Sequence, residues 1–228
     1  MDDRANVPSN AAPAPVAPAP VADALTNAPV AAAPARALGS GRGRRPAAEV
    51  RQAVLAAAAE QLFEHGLAGV TFEKVALRAG ASKMTLYKWW PTPGSLAFEA
   101  YFHAVEETLA FADTGDIERD LSSQLHSFVA LLTGAGGPVI AELIGAAQSD
   151  PALAEAFAAN YTRPRRRLAV ETLERAKVRG QVRLDVDSEV VVDQLWGACY
   201  HRLLLPDQPL EPPFVDALLA NLLRGIRA

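Results

Sequence analysis

The stretch TFEKVALRAGASKMTLYKWW, Thr71 to Trp90, decides how this chain folds. Thr71 is a natural helix N-cap, and Glu73 places an acid in the first turn, where the helix dipole favours negative charge. Phe72, Val75, Ala76 and Ala79 recur at helical spacing and form one apolar stripe. Gly80 supplies the left-handed conformation that ends a helix cheaply, and Ser82 caps the next one. Ala76 is small enough for two helices to cross closely. The pattern predicts two short helices around a tight turn, a helix-turn-helix.

The second of these helices indicates the partner. At about 100° per residue, Leu86, Trp89 and Trp90 share a face, which is the one to bury. Met84, Thr85, Tyr87 and Lys88 point away from it, and Lys83 in the first turn has a stem long enough to reach outward. This outward set holds no acid and many hydrogen-bond donors. Lys83 suits a guanine edge, Thr85 either base type and Met84 a thymine methyl. Tyr87 and Lys88 suit phosphate oxygens, which fix register without reading sequence. An ordinary helical hairpin with a solvated face is the plainer alternative. Upstream, Gly41-Arg42-Gly43-Arg44-Arg45 reads as a flexible basic arm. Arg44 and Arg45 are its candidates for phosphate or minor-groove contact, with a merely solvated charge run as the alternative. The caps Thr71 and Ser82 complete the set of candidate DNA contacts.

The run from Arg45 to Phe102, with AAAAEQLFEHGLAGVTFEKVALRAGASKMTLYKWWP at its centre, resembles the DNA-binding domain of the TetR family of transcriptional regulators. The positions that carry the likeness are Leu62, Phe63, Gly66, Thr71, Ala79, Gly80, Ala81, Ser82, Thr85, Leu86, Tyr87, Trp90, Pro91 and Leu96. Ala81 replaces a usual Val. Pro93 stands where a Lys usually opens the fourth helix, so one phosphate contact must come from elsewhere. Gln148-Ser149-Asp150-Pro151 and the Arg-rich region around Pro164 are similar, more loosely, to one C-terminal variant of the family. The resemblance implies a homodimer joined through its last two long helices, and a small-molecule cavity whose occupant changes the spacing of the two heads. Candidate lining residues are Phe102, Phe128, Phe157, Tyr161, Trp196 and Tyr200, each of which could equally be core filler. An occupant would be a small hydrophobic or amphipathic effector.

The fold class expected is all-α, an N-terminal three-helix helix-turn-helix domain followed by a C-terminal helical domain for ligand binding and dimerisation. Residues 1–45 read as a disordered Ala/Pro-rich tail ending in the basic arm, 46–106 as the DNA-binding domain with its helix-turn-helix at 70–89, and 107–228 as the C-terminal domain. Helices are expected from about Ala47 to His65, with Gly66 as the stop, and from Ser95 to Phe111 without interruption, opened by Thr92 and Pro93. Further helices run from Asp116 to Leu132, from Val139 to Gln148 after a break at Gly134–Pro138, and from Asp150-Pro151 to about Asn160. Pro164 restarts or kinks the chain, which continues to Arg179 with Gly180 as a cap. Ser188–Leu205 is apolar on nearly every face and must be covered on both sides. Phe214–Ile226 carries a stripe of Val215, Leu218, Leu219, Leu222, Leu223 and Ile226. Two such helices from each of two subunits would build a four-helix interface, unless they only complete a monomer core.

Charge is partitioned along the chain. Residues 41–90 carry eight Lys+Arg against four Asp+Glu, while residues 91–228 carry twelve against nineteen, within an overall charge of −4. A basic head on an acidic body suits a reader of DNA, because affinity comes from phosphate neutralisation near the reading helix. The lone Cys199 excludes an internal disulfide and fits a reducing cytoplasm. The proline-broken N-terminus argues against a signal peptide, and no apolar run of membrane-spanning length occurs. Four histidines on separate helices offer no metal-ligand spacing, and no phosphate loop or nucleophile elbow appears, so no cofactor and no catalysis are expected. The Arg163, Arg165, Arg166 and Arg167 cluster could hold an anion, but is read as a solvated helix start paired with acids such as Glu171. Two other classes stay open: an enzyme that uses the same head on DNA, and a non-catalytic interaction protein working through its Ala/Pro tail.

Overall fold

The computed structural model describes residues 45–205 and 207–228; the Ala/Pro tail and Arg44 lie outside them. The described residues contain helices and connecting turns and no strand. In chain order the helices are α1 (Ala47–His65), α2 (Phe72–Ala79), α3 (Lys83–Trp89), α4 (Pro93–Val105), α5 (Ile117–Thr133), α6 (Gly136–Ala147), α7 (Pro151–Phe157), α8 (Arg163–Val178), α9 (Ser188–Leu204) and α10 (Pro212–Ile226).

Local signals set most boundaries. Gly66, at φ 69°, ends α1, and its N–H returns to the Leu62 carbonyl. Thr92 caps α4 through a reciprocal pair: its hydroxyl accepts from the Ser95 N–H at 3.1 Å while the Ser95 hydroxyl accepts from the Thr92 N–H at 3.2 Å. Pro93 occupies the first helical position, where a missing N–H costs nothing. Asp116, Asp150 and Asp187 each cap the helix that follows by accepting two backbone N–H groups. At the end of α8, Gly180 and Gln181 return their N–H groups to Lys177 and Ala176, closing the turn in the left-handed manner.

Three expectations are corrected. The helix predicted from Ser95 to Phe111 stops at Val105; a single tight turn, Glu107–Leu109, follows, and Ala110 is extended. The break expected at Gly134–Pro138 is much shorter, because Gly136 and Gly137 already belong to α6 and Pro138 sits in its first turn, where its N–H would have been unpaired anyway. Between α7 and α8 the chain does not restart at Pro164. It passes through one wide turn, Ala158–Thr162, in which the Arg163 N–H reaches back to the Ala158 carbonyl. A π-type turn of this kind absorbs the proline without ending the helix.

Helix α1 packs on α2 and α4, and α2 on α3, around fully buried Val54, Ala58, Leu62, Val75, Leu86 and Leu96. The remaining core lies around α5, which meets α6, α9 and α10 through Leu121, Leu125, Phe128, Val129 and Leu132. Helix α4 belongs to both: it faces α1 on one side and α7 on the other. Of the last two helices, Val215, Leu219, Leu223 and Ile226 are buried, Leu218 and Leu222 half-buried, and Val190 and Leu204 of α9 exposed. The chain thus covers α9 on one side only.

Candidate DNA interface and ligand cavities

The reading head is assembled by caps. The Thr71 hydroxyl accepts from the Lys74 N–H at 3.3 Å and starts α2. Phe72, Val75, Ala76 and Ala79 then face the core. Gly80 adopts φ 61°, ψ 37°, and Ala81 returns its N–H to the Ala76 carbonyl at 3.0 Å. A side chain at Gly80 would have to enter this left-handed region. The Ser82 hydroxyl accepts from the Thr85 N–H at 3.1 Å and lies 2.9 Å from the Thr85 hydroxyl. These bonds fix the crossing of α2 and α3, and hence the direction of every side chain on α3.

A second set of contacts clamps the far end of α3. Trp90 is buried, and its indole N–H donates to Glu99 of α4 at 2.8 Å. Arg51 of α1 pairs with the same carboxylate and lies 4.7 Å above the Trp90 ring and 5.8 Å from the Trp89 ring. Arg51 and Glu99 were not singled out in the sequence. The signal was there: both are charged residues on the faces of α1 and α4 that meet.

With α3 so held, Met84 is 77 % exposed, Tyr87 and Lys88 are exposed, and Thr85 is half-buried beside Ser82. The Tyr87 ring stands edge-on to Phe72 at 4.7 Å, which orients the phenol. Lys83 is exposed but engaged: its ammonium lies 2.9 Å from Glu73 of α2. That hydrogen bond holds the Lys83 pKa above, and the Glu73 pKa below, their ordinary values. Arg45 donates to the Ala79 carbonyl at 3.2 Å, where α2 presents the negative end of its dipole, directly beside the Gly80 turn. Pro93, in place of a lysine, leaves the start of α4 to its capping box.

Two of the cavities among the described residues border the candidate lining residues. The larger, about 660 Å³, is bounded by α1, α4 and α8 and includes Arg51, Phe102, Glu106, Tyr161 and Arg165. The smaller, about 230 Å³, lies between α8 and α9 and is lined by Phe111, Tyr161, Arg165, Asp193, Trp196 and Tyr200 among others. Of the six aromatic candidates, Phe102 and Tyr161 border the first cavity, and Tyr161, Trp196 and Tyr200 the second. Phe128 and Phe157 border neither. Phe157 stacks with Phe102 and Tyr161 at 5.7 and 5.6 Å, and Phe128 meets the Tyr200 ring edge-on at 5.3 Å. Their surroundings are those of core residues.

The arginine cluster differs from the expected solvated helix start. Arg163 pairs with Glu155 at 2.8 Å, and Arg166 with Glu189 and Asp193; Glu171 is not the partner. Arg165 turns inward. It donates to the Leu109 carbonyl, and its guanidinium lies 4.9 Å from the Phe111 ring. With the Gln124 amide oriented to donate to the Ala110 carbonyl at 2.8 Å, its oxygen accepts from Arg165 at 2.6 Å. Burial lowers the Arg165 pKa. Helical spacing carried the signal, since Arg165 shares a face with Ala169, Thr172 and Ala176, all buried.

Similarity to known proteins agrees with this geometry. Residues 54–100 match the family model described as bacterial regulatory proteins, tetR family, and residues 111–222 match the tetracyclin repressor-like C-terminal domain. The HTH-type transcriptional regulator YdeS of Bacillus subtilis is 34 % identical, over 83 % of this chain and 96 % of its own length. The DNA-binding transcriptional repressor TetR of Mycobacteroides abscessus is 28 % identical over 75 % of this chain and 90 % of its own. The crystal structure of the TetR family transcription regulator SCO0332 superposes with a TM-score of 0.74 at 55 % identity, covering 79 % of this chain and all of that one. The chain therefore belongs to the TetR family, and is a DNA-binding regulator of transcription.

Proposed function

We propose that the protein works as a homodimeric, ligand-responsive repressor that lays α3 of each subunit into the major groove of a near-palindromic operator. Lys83, Met84 and Thr85 would meet base edges; Arg44, Arg45, Thr71, Ser82, Tyr87 and Lys88 would meet the backbone. The observation that carries this reading is the acid-free outward face of α3, held rigidly by the Ser82 cap at one end and the Trp90–Glu99–Arg51 contacts at the other. The proposed division of labour assigns 46–106 to DNA and 107–228 to dimerisation and effector binding, with 1–45 as a tail and basic arm; cytoplasmic action goes with it.

Dimerisation is supported by α9, whose Val190 and Leu204 are 49 % and 42 % exposed, beside half-buried Leu218 and Leu222 of α10. Exposed Val190 and Leu204, on a face that also carries Gln194, Gly197 and His201, together with the half-buried leucines of α10, suit an isologous four-helix contact. Two heads would then sit about one DNA turn, or a multiple of it, apart. An effector between the body helices would act by population shift, favouring a head spacing that no longer fits adjacent grooves.

Selection of bound duplexes from a random pool tests the reading. Enrichment of a sequence with two-fold symmetry is expected. A single asymmetric half-site, or no enrichment, would overturn it. Val190→Asp combined with Leu204→Asp should give a monomer by sedimentation and abolish high-affinity operator binding.

A further inference from the structure

The smaller cavity contains two polar groups whose requirements the chain does not meet. Its neighbours Arg163 and Arg166 each have a carboxylate partner, but Arg165 has none among the described residues. Its contacts are the neutral carbonyls of Leu109 and Gln124 and the face of Phe111, which take only part of the five donors of a guanidinium. The Tyr200 hydroxyl is buried and makes no hydrogen bond of good geometry; the phenol of Tyr161, on the same wall, is its polar neighbour. A half-buried cation without a counter-charge and an orphan buried hydroxyl are both costly, and the structure places them on the wall of one cavity. Asp193 is on that wall too, but both its oxygens are taken by Arg166, at 2.5 and 3.0 Å. The nearby acid Glu106 borders the larger cavity, and no ion pair joins it to Arg165.

The remaining walls are aromatic and apolar: Phe111, Tyr161, Trp196 and Val192. At about 230 Å³ the space lies below the usual range for drug-sized ligands, ~300–1,000 Å³. It suits one or two fused rings. A guanidinium presents paired N–H donors in the geometry of a carboxylate, and the tyrosine adds a third donor.

We propose that this cavity binds a small aromatic carboxylate, with its anionic group on Arg165 and Tyr200 and its ring against Trp196 and Phe111. The proposal rests on the ligand-responsive reading above and names the effector class for it. It also gives the transmission step. The carbonyl that Arg165 holds in the free protein belongs to Leu109, in the tight turn that follows α4, and only three residues separate α4 from the end of α3. A carboxylate that forks across both terminal nitrogens of Arg165 competes with the Leu109 carbonyl for the guanidinium and loosens that turn.

The test is calorimetric titration of the full chain with benzoate and 2-naphthoate, each set against its primary amide as a neutral isostere. At least one carboxylate should bind about tenfold or more tightly than its amide, the order expected for a hydrogen-bonded charge pair. Arg165→Gln should erase that preference, and Tyr200→Phe should weaken the carboxylate several-fold while leaving the amide unchanged. If Arg165→Gln does not fold, Arg165→Lys and Tyr200→Phe carry the comparison, and both should lose part of the preference. Equal binding of acid and amide, carboxylate binding that these variants do not alter, or no binding of either carboxylate at millimolar concentration overturns the proposal. Operator release separates it from the reading beneath it. Carboxylate binding that depends on Arg165 but leaves the operator bound supports the site and refutes ligand-responsive repression. Release by neutral compounds alone, untouched in Arg165→Gln, does the reverse.

Discussion

Glu142 of α6 accepts a hydrogen bond from the backbone N–H of Leu67 at 2.8 Å, joining two points 75 residues apart in sequence. Leu67 opens the short turn between α1 and α2, so this bond ties the reading head to a helix of the body. Gly66 makes the approach possible: a Cβ there would lie 2.9 Å from the same carboxylate oxygen. Glu142→Ala should destabilise the fold by about 1 kcal/mol, the net worth of one such bond, and Glu142→Gln should recover most of that by keeping an acceptor. Chemical denaturation of the three proteins reads the difference. Gly66→Ala should cost more than Glu142→Ala, because it adds a strained φ of 69° to the lost space.

The Lys83–Glu73 pair makes a prediction about DNA rather than stability. Glu73 keeps its charge until pH falls through its lowered pKa, and Lys83 keeps its own until pH rises through its raised one. Between those limits pH does not release the lysine; the duplex must displace Glu73. Glu73→Gln should therefore tighten DNA binding several-fold and steepen its salt dependence by about one counterion. Lys83→Ala should weaken operator binding by about five- to a hundredfold while leaving random duplex nearly unchanged if Lys83 reads a base. Fluorescence anisotropy on both duplexes decides; equal losses would place Lys83 on phosphate.

Trp90 and Arg51 hold α3 through Glu99, and their removal should separate folding from binding. Trp90→Phe keeps a ring in the core but removes the donor to Glu99, costing about 1–2 kcal/mol. Trp90→Ala leaves a cavity at a residue 3 % exposed and should cost about 3–5 kcal/mol, enough to unfold the head. Arg51→Ala should lower operator affinity with a smaller loss of stability, since the helix frees at one end only. Urea denaturation alongside anisotropy distinguishes the three.

Alkaline pH should unfold the protein through its buried acids. Burial raises the Cys199 thiol from an ordinary 9.0 to about 12 and also raises the phenols of Tyr101, Tyr161 and Tyr200. The unfolded chain releases these protons first, so it binds fewer than the folded chain as pH climbs. The thiol's contribution is complete below pH 9 and is lost between there and about 12. Denaturation midpoints measured across that window should fall, and Cys199→Ala should flatten the early part of the fall. In the native protein at mild alkaline pH the thiol should not react with a maleimide.

Much of the head was legible because its determinants are local. Thr71, Gly80, Ser82, Thr92 and Pro93 act on residues within four positions of themselves, so the sequence alone discloses what they do. The misread end of α4 was set from afar. The carbonyls of Leu109 and Ala110 are taken by Arg165 and Gln124, from two other helices, and the turn tightens around those contacts. No window of sequence contains both partners. Arg165 was misjudged for a related reason: its neighbours Arg163 and Arg166 face acids at the surface, and composition treats a run of arginines as one feature, whereas helical phase separates them. For Phe128 and Phe157 the sequence leaves cavity wall and core filler both open, because aromatic character does not distinguish the two. Only the packing does.

The π-type turn at Ala158–Thr162 places one residue more in a single turn than an α-helix would hold. Every side chain after it is rotated by about 100° from where an uninterrupted helix would carry it. Tyr161 and Arg165, four residues apart, share a face as such a pair does in any helix, and the surplus residue sets the phase of α8 relative to α7. A single-codon deletion in the turn would remove the surplus residue and close a regular helix with Arg165 still on its present face. The turn is thus a place where the chain can shed one residue and keep the helix phase on which Arg165 depends.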